Sequence, residues 1–157
     1  MDIFVSGKTG EGLTELAAFD NALWNLGVGD HNLIHLSSVV PLNTTVKKEA
    51  VNYNGQFQGD RIYCVYAEQR TSIPDTTIAA GLGWVMTTEE PSWGLFVEHT
   101  GGSKEDVISQ IKHSLQSMME YRTDYTWGEV EYEVASATCI DKPVCAMTLA
   151  VYQREAW

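Results

Sequence analysis

Two helical patterns, one near each end of the chain, lie among strand-like segments, and this order limits the possible folds most strongly. Apolar residues recur at helical spacing after Thr14, and again between Ser103 and about Tyr121. Thr14 and Ser103 can cap these helices, and Gly27 can end the first one. Strand-like segments lie on either side of each helix. We therefore predict an α+β layered domain in which the helices cover sheet faces.

The strand candidates are short apolar segments bounded by turn residues. We predict strands at residues 3–6, 33–40, 61–68, 76–86, 93–99, 128–140 and 143–152. The glycine-rich segment 7–12 is predicted to be a turn, and the polar segment 43–59 a loop. Glycine and alanine in segment 76–86 indicate that another element approaches its backbone closely. The last two strands are expected to pair antiparallel through Asp141-Lys142.

Length and charge narrow the class of protein. A chain of 157 residues can bury an ordinary hydrophobic core without a metal or disulfides. The formal net charge of −11 repels phosphate backbones and attracts cations. Nucleic acid is therefore a poor partner and a cationic small molecule a better one, although a solubilising surface is the more common explanation of such a charge.

Cysteine usage and the N-terminal segment indicate the compartment. The three cysteines are odd in number and lie in apolar strand-like runs, as expected of buried, reduced thiols. The N-terminal residues lack a basic, apolar leader pattern, and no apolar stretch is long enough to span a membrane. We expect a cytoplasmic protein that does not enter the membrane.

Several familiar site motifs fail on spacing. Gly7-Lys8-Thr9 lacks the upstream glycine of a phosphate-binding loop, and Gly81-Leu82-Gly83 is an isolated fragment within a strand pattern. Two pairs of possible metal ligands are present, namely His31 with His35 and Cys139 with Cys145. Neither pair has the spacing of a zinc site. We expect a tight turn at Gly7-Lys8-Thr9 and no metal site.

Paired hydroxyl residues, Ser37 and Ser38, follow an apolar strand and precede Pro41. A hydroxyl at this kind of position can attack the preceding peptide carbonyl, which is how a self-cleaving proenzyme converts a serine into a pyruvoyl group. Serine is also common at ordinary strand ends. The dipeptide therefore has to be interpreted together with its neighbours.

Two carboxylates lie where the sequence predicts partial burial. Glu98 ends the apolar run 95–97 and could act as a general acid, although an isolated glutamate at a strand end is more often simply solvated. Asp20 falls between Leu16 and Leu23 around the first helix, so its carboxylate borders the apolar stripe and needs a partner. A helix-surface role is the alternative for Asp20.

Taken together, these features form an ordered series that resembles the pyruvoyl-dependent arginine decarboxylases. The resemblance is most specific from Phe19 to Pro41, continues in the run ending at Glu98, and is weak between residues 43 and 60. It implies a single domain, residues 1–157, with a four-layer α-β-β-α sandwich. It further implies self-cleavage between Ser37 and Ser38 into a β chain of residues 1–37 and an α chain of residues 38–157.

The resemblance also implies a role for each matching residue. Ser38 would become the covalently bound pyruvoyl cofactor, and Glu98 would be the proton donor. Asp20 would bind the substrate guanidinium, Leu23 would line the pocket, and Asn32 would make a polar contact near the cofactor. The active sites would lie between subunits of a trimer or of a dimer of trimers.

The implied activity is that of a lyase that converts L-arginine to agmatine and carbon dioxide, in polyamine biosynthesis or in acid resistance. Two alternatives remain open at this stage. The same cofactor could decarboxylate another amino acid, such as histidine or ornithine. The chain could also be an unprocessed, non-catalytic oligomeric homologue.

Overall fold

The computed structural model describes residues 1–157 as two β-sheets and two α-helices. In chain order the elements are β1 (Asp2–Glu11), α1 (Glu15–Asn25), β2 (Asn32–His35), β3 (Val39–Val40), β4 (Thr45–Lys47), β5 (Arg61–Thr71), β6 (Thr77–Met86), β7 (Gly94–Gly101), α2 (Lys104–Glu120), β8 (Glu131–Thr138) and β9 (Val144–Glu155). One sheet has the strand order β2-β5-β9-β1-β4, and the other has the order β3-β7-β6-β8. No helix of this structure is both long enough and apolar enough to cross a membrane.

The two sheets pack face to face around a central apolar layer that includes Trp84 and Phe96. A second apolar cluster lies between α1 and the outer face of the five-stranded sheet. A third lies between α2 and the outer face of the four-stranded sheet. The order of layers is therefore helix, sheet, sheet, helix, which confirms the predicted α+β four-layer α-β-β-α sandwich.

Both helices begin at the predicted capping residues. The Thr14 hydroxyl accepts a hydrogen bond from the Ala17 amide at 3.0 Å, and the Ser103 hydroxyl accepts one from the Asp106 amide at 3.1 Å. The expected position of Leu16 in the buried stripe of α1 is wrong, because its side chain is 67% exposed. The helix instead packs through smaller residues, namely Ala18 and Ala22, together with Leu23.

The segment predicted as a glycine-rich turn is part of β1, which pairs with β9 from Phe4 to Glu11. Gly10 explains the difference. A Cβ atom at Gly10 would overlap the backbone of Ala18 and Ala22 in α1. Glycine is therefore required by the close approach of the helix to the sheet, and the strand continues through it.

The predicted strand 33–40 is two strands in different sheets. Residues 32–35 form β2, which pairs parallel with β5 in the five-stranded sheet. Residues 39–40 form β3, which pairs antiparallel with β7 in the four-stranded sheet. The chain therefore crosses from one sheet to the other through Leu36, Ser37 and Ser38.

The predicted hairpin of the last two strands is also wrong. β8 pairs with β6 in the four-stranded sheet, whereas β9 pairs with β1 and β5 in the five-stranded sheet. Residues 139–143 therefore carry the chain between layers. Alternating apolar patterns predict each strand correctly but contain no information on which sheet receives it.

The close approach predicted for the glycine-rich strand is confirmed. A Cβ atom at Gly83 would overlap Ile111 of α2, and one at Gly81 would crowd Val107 of the same helix. The predicted loop 43–59 is irregular apart from β4. These glycines hold α2 against β6 and thereby fix the helix beside β7, which carries Glu98.

Candidate active site

The Ser37–Ser38 peptide lies in the crossover between the sheets and is held on both sides. Before it, the Leu36 amide donates to the Cys64 carbonyl in the five-stranded sheet at 2.8 Å. After it, the Phe96 amide of the four-stranded sheet donates to the Ser38 carbonyl, also at 2.8 Å. The peptide bond is therefore fixed by hydrogen bonds to both sheets, while the Ser37 side chain is exposed.

The backbone at Ser38 is strained. Its φ angle is +72°, in the left-handed region that non-glycine residues enter at a cost of about 1–2 kcal/mol. Such conformations persist only when the surrounding structure enforces them. Here the hydrogen bonds of Leu36 and Phe96 provide that constraint, because they fix the two ends of the crossover in different sheets.

The Ser38 hydroxyl points at Glu98. Its Oγ donates to Glu98 Oε1 at 2.5 Å, although the two residues are far apart in the chain. Glu98 follows the buried residues Leu95, Phe96 and Val97 on β7, and its own side chain is 29% exposed. In this short hydrogen bond the Glu98 carboxylate is placed to accept the proton of the Ser38 hydroxyl.

Three further side chains surround this pair. His35 Nε2 lies 3.4 Å from the same Glu98 oxygen, and the His35 ring stacks on Tyr66 with centroids 4.4 Å apart. On the other side, the Tyr152 hydroxyl donates to the Val39 carbonyl at 2.9 Å. Burial, with a smaller contribution from the nearby Glu98 charge, raises the pKa of Tyr152, so its hydroxyl keeps its proton and remains a donor.

An open cavity of about 380 Å³ lies beside Glu98. It forms where β2 ends and leaves the continuing edge of β5 uncovered, so that β5 faces β7 across a gap. The lining residues, mostly polar, are Tyr66, Ala67, Glu68, Glu98, His99, Thr100 and Gln110. A small polar molecule can therefore reach the Glu98 carboxylate from this side.

The remaining predicted site residues lie elsewhere in the same chain. Asp20 is exposed on α1, and its side chain makes no hydrogen bond or ion pair within the chain. Leu23 is buried beneath α1 in the outer apolar cluster. Asn32 begins β2, and its side-chain amide donates to the Gly59 carbonyl at 2.7 Å. One chain therefore brings Ser37, Ser38 and Glu98 together but does not bring Asp20, Leu23 and Asn32 to them.

Sequence reasoning missed His35, Tyr66 and Tyr152 as neighbours of this site. The position of His35, three residues before Ser38, could have indicated a role near the cut. The sequence pattern was interpreted only as a possible zinc-ligand pair with His31. Tyr66 and Tyr152 carried none. Their positions depend on the pairing of β2 and β9 with β5, and strand pairing cannot be deduced from these segments alone.

Comparison with known proteins identifies the family. The family model described as pyruvoyl-dependent arginine decarboxylase matches residues 2–156. A pyruvoyl-dependent arginine decarboxylase of Thermococcus kodakarensis is 34% identical over 151 residues, which cover 94% of this chain and 92% of the relative. The enzyme of the same name from Pyrococcus abyssi is 35% identical over 144 residues, covering 90% and 87%. One from Methanothermobacter thermautotrophicus is 32% identical over 124 residues, covering 78% of each. The chain, with the Ser38 hydroxyl held against Glu98, belongs to the pyruvoyl-dependent arginine decarboxylase family.

Proposed function

We propose that this chain cuts itself between Ser37 and Ser38 and then decarboxylates L-arginine to agmatine and carbon dioxide. The observation that carries the proposal is the 2.5 Å hydrogen bond from the Ser38 hydroxyl to Glu98 at a strained backbone position. The family membership supplies the reaction class. Self-cleavage would separate a β chain, residues 1–37, from an α chain, residues 38–157.

Glu98 would act first as a base in the self-cleavage. It accepts the Ser38 Oγ proton while that oxygen attacks the Ser37 carbonyl carbon, and the peptide nitrogen leaves as the free amine of residue 38. The product is an ester between Ser37 and the Ser38 oxygen. Loss of the Cα proton of residue 38 then expels Ser37 as a carboxylate and leaves a dehydroalanine. Water converts the dehydroalanine to the pyruvoyl group and releases ammonia.

The backbone geometry supports this first step. The left-handed φ angle at Ser38 raises the energy of the intact peptide, and breaking the Ser37–Ser38 bond releases that strain. The Phe96 amide and the Tyr152 hydroxyl hold the carbonyls of residues 38 and 39, so Ser38 stays in place while the bond is broken. The residues present thus fit the formation of a serine-derived carbonyl cofactor at position 38.

Decarboxylation would use the same carboxylate in its other protonation state. A pyruvoyl group at position 38 would supply a carbonyl that binds the α-amine of the substrate and withdraws the electrons released with carbon dioxide. Glu98 Oε1, already within hydrogen-bond distance of Ser38, would carry the proton that the α-carbon receives. Asp20 would accept paired hydrogen bonds from the guanidinium group, which selects arginine over uncharged side chains.

Mass spectrometry of the purified protein tests the cleavage. We expect two fragments, with the larger beginning in a pyruvoyl group at position 38. The Ser38→Ala variant should remain a single chain without activity, whereas Ser37→Ala, which keeps the attacking hydroxyl, should still be cut. A wild-type chain that stays intact, or a Ser38→Ala variant that still releases carbon dioxide, would overturn the proposal.

A substrate panel tests the specificity. Wild-type protein should release carbon dioxide from L-arginine and much less from ornithine or histidine. Asp20→Asn should raise KM for arginine about 10-fold or more, because a charge-assisted hydrogen-bond pair to a guanidinium contributes roughly 1.5–3 kcal/mol. Equal turnover on all three amino acids would remove Asp20 from its proposed role and favour a different substrate.

We further propose that each active site is completed by a neighbouring chain in a trimer or in a dimer of trimers. Two observations support this. The Asp20 side chain forms no hydrogen bond or ion pair with Ser38 or Glu98 in its own chain. The exposed side of α1 also carries Leu16 and Trp24, at 67% and 49% exposure, in one row with Asp20, and Leu13 just before the helix is 87% exposed. Apolar side chains arranged in a row on an outer helix indicate a surface that packs against another chain.

Co-expression of two impaired variants, assayed at an arginine concentration well below KM, distinguishes a shared site from a site within one chain. Asp20→Ala lacks the substrate carboxylate, and Ser38→Ala lacks the cofactor precursor. If a site combines Asp20 of one chain with Ser38 of another, mixed oligomers contain some intact sites and should regain part of the activity. If oligomers shown to contain both variants recover no activity, Asp20 and Ser38 act in the site of the same chain and the shared-site proposal is wrong.

A further inference from the structure

We propose that His35 is a positioning residue for Glu98 and makes the rate of self-cleavage depend on pH. In this role the protonated His35 ring holds the Glu98 carboxylate in the orientation in which it receives the Ser38 hydroxyl proton. The inference rests on the self-cleavage proposed above. It adds a residue to that reaction and a dependence on pH that the serine and the glutamate alone do not require.

The geometry places both contacts on one oxygen atom. Glu98 Oε1 accepts the Ser38 hydroxyl at 2.5 Å and lies 3.4 Å from His35 Nε2. A cation at that distance favours the ionised form of the carboxylate and draws this particular oxygen toward the crossover segment. Because His35 is the last residue of β2, three positions before Ser38, the same short segment carries both the hydroxyl and the group that orients its base.

The His35 ring is itself held in place. Its stacking on Tyr66, with centroids 4.4 Å apart and planes 23° apart, fixes the ring orientation, and the pairing of His35 with Cys64 fixes the backbone beneath it. The His35 side chain is nevertheless 44% exposed, so solvent reaches the ring. It therefore combines a fixed position with access to the bulk pH.

His35 is also the cation that is available to Glu98. The titratable groups around Glu98 are His35 of β2, Cys64, Tyr66 and Glu68 of β5, His99 of β7 and Tyr152 of β9, while α2 presents Gln110 with Asp106 behind it. Arg70 is occupied by a two-pronged ion pair with Glu68, and His99 Nε2 is bonded to Ser114 at 2.8 Å. His35 has no such competing polar partner.

The neighbouring thiol and phenol groups do not change charge in the neutral pH range. Burial raises the pKa of Cys64 to about 12 and raises the pKa of Tyr66 and Tyr152 above the usual value for tyrosine. These groups stay uncharged from about pH 6 to about pH 8.5, whereas an imidazole loses its positive charge within that interval. Loss of the His35 charge should therefore slow self-cleavage as the pH rises.

The experiment measures the cleavage rate of freshly refolded, uncut protein across this interval, by intact mass. We expect the wild-type rate to fall about two- to five-fold from about pH 6 to about pH 8.5, the size expected for a half-exposed ion pair. His35→Arg, whose charge does not titrate, should keep the faster rate throughout. His35→Gln should show the slower rate throughout. His113→Gln, an exposed histidine on α2, is the matched control and should follow the wild-type profile.

A second variant addresses the stacking. Tyr66→Leu removes the ring that holds His35 and should slow cleavage at low pH toward the rate of His35→Gln, while Tyr66→Phe should keep the wild-type profile. If His35→Gln or His35→Arg retains the wild-type slope, another group sets the pH dependence and the inference is overturned. A wild-type chain that never cleaves would defeat the proposed self-cleavage instead, so the two failures can be distinguished.

Discussion

The backbone strain at Ser38 can be measured without any catalysis. Neither Ser38→Ala nor Ser38→Gly has the attacking hydroxyl, so both variants remain uncut and can be compared as intact chains. At an ordinary extended position, glycine is less stable than alanine by about 0.5–1 kcal/mol because it loses more conformational freedom on folding. At Ser38 the φ angle of +72° reverses the comparison, because only glycine adopts this conformation without cost.

Ser37 provides the reference position in the same segment. It precedes Ser38 directly and does not have a positive φ angle. Alanine and glycine are therefore also compared at Ser37, in the Ser38→Ala background. Subtracting the alanine-to-glycine change at Ser37 from that at Ser38 removes the intrinsic cost of glycine and leaves the strain, which we expect to be about 1–2 kcal/mol.

The assay is equilibrium unfolding in urea at one fixed protein concentration, with thermal unfolding as a second measurement. For a chain of this length, 1 kcal/mol corresponds to roughly 2–4 °C in Tm. Ser38→Gly should be as stable as Ser38→Ala or more stable, whereas glycine at Ser37 should be less stable than alanine. If glycine lowers the free energy of unfolding equally at both positions, Ser38 holds no strain and the proposed aid to cleavage is refuted.

Three further outcomes follow from other contacts. Gly10→Ala should destabilise the fold by more than about 2 kcal/mol in urea unfolding, because the added Cβ would overlap the α1 backbone at Ala18, whereas Gly102→Ala, which meets open space, should change it little. Burial raises the pKa of Cys64 to about 12, which is above the pKa of the thiol in the unfolded chain. The buried neutral thiol therefore contributes fully to stability below about pH 9, and this contribution is lost as the pH rises toward 12. The urea midpoint should fall over this interval, and it should fall less steeply in Cys64→Ala. Tyr152→Phe should keep the fold but slow self-cleavage several-fold in a mass time course, since the variant loses the hydrogen bond to the residue after Ser38; an unchanged rate would exclude Tyr152 from holding the segment.

The two helix caps, which depend only on local chemistry, were predicted correctly, whereas the predictions that depend on strand pairing were not. Thr14 and Ser103 were identified as caps because a hydroxyl before a helical pattern satisfies free amides directly. The final hairpin and the single strand 33–40 failed for a common reason. Each contains a short crossover between sheets, and residues in a crossover such as Asp141 or Ser37 have the same polar character as residues in a turn within one sheet.

In the candidate site, too, features visible in the local sequence were predicted, and features that depend on the packing of the two sheets were not. Ser38 and Glu98 were chosen from their positions after apolar runs and from the family resemblance, and the fold brings their side chains into direct contact. The sequence could not show that Ser38 has a positive φ angle, because that conformation results from the crossing of the chain between layers. His35 was unrecognised for a related reason, since its contact with Glu98 exists only because β2 and β7 lie in facing sheets.

The position of the proposed cut also explains how two fragments could remain one protein. Residues 1–37 contain β1 and β2, and β1 lies inside the five-stranded sheet, paired with β9 on one side and β4 on the other. Residues from Ser38 onward contain all of those partners. Breaking the Ser37–Ser38 bond therefore removes the covalent link between sheets at one crossover, while β2 keeps its pairing with β5 and β3 keeps its pairing with β7. A cut inside β2 would instead break a ladder of hydrogen bonds, so the crossover is the place where the chain can generate a new N-terminus beside Glu98 and still retain the sheets that hold Glu98 in position.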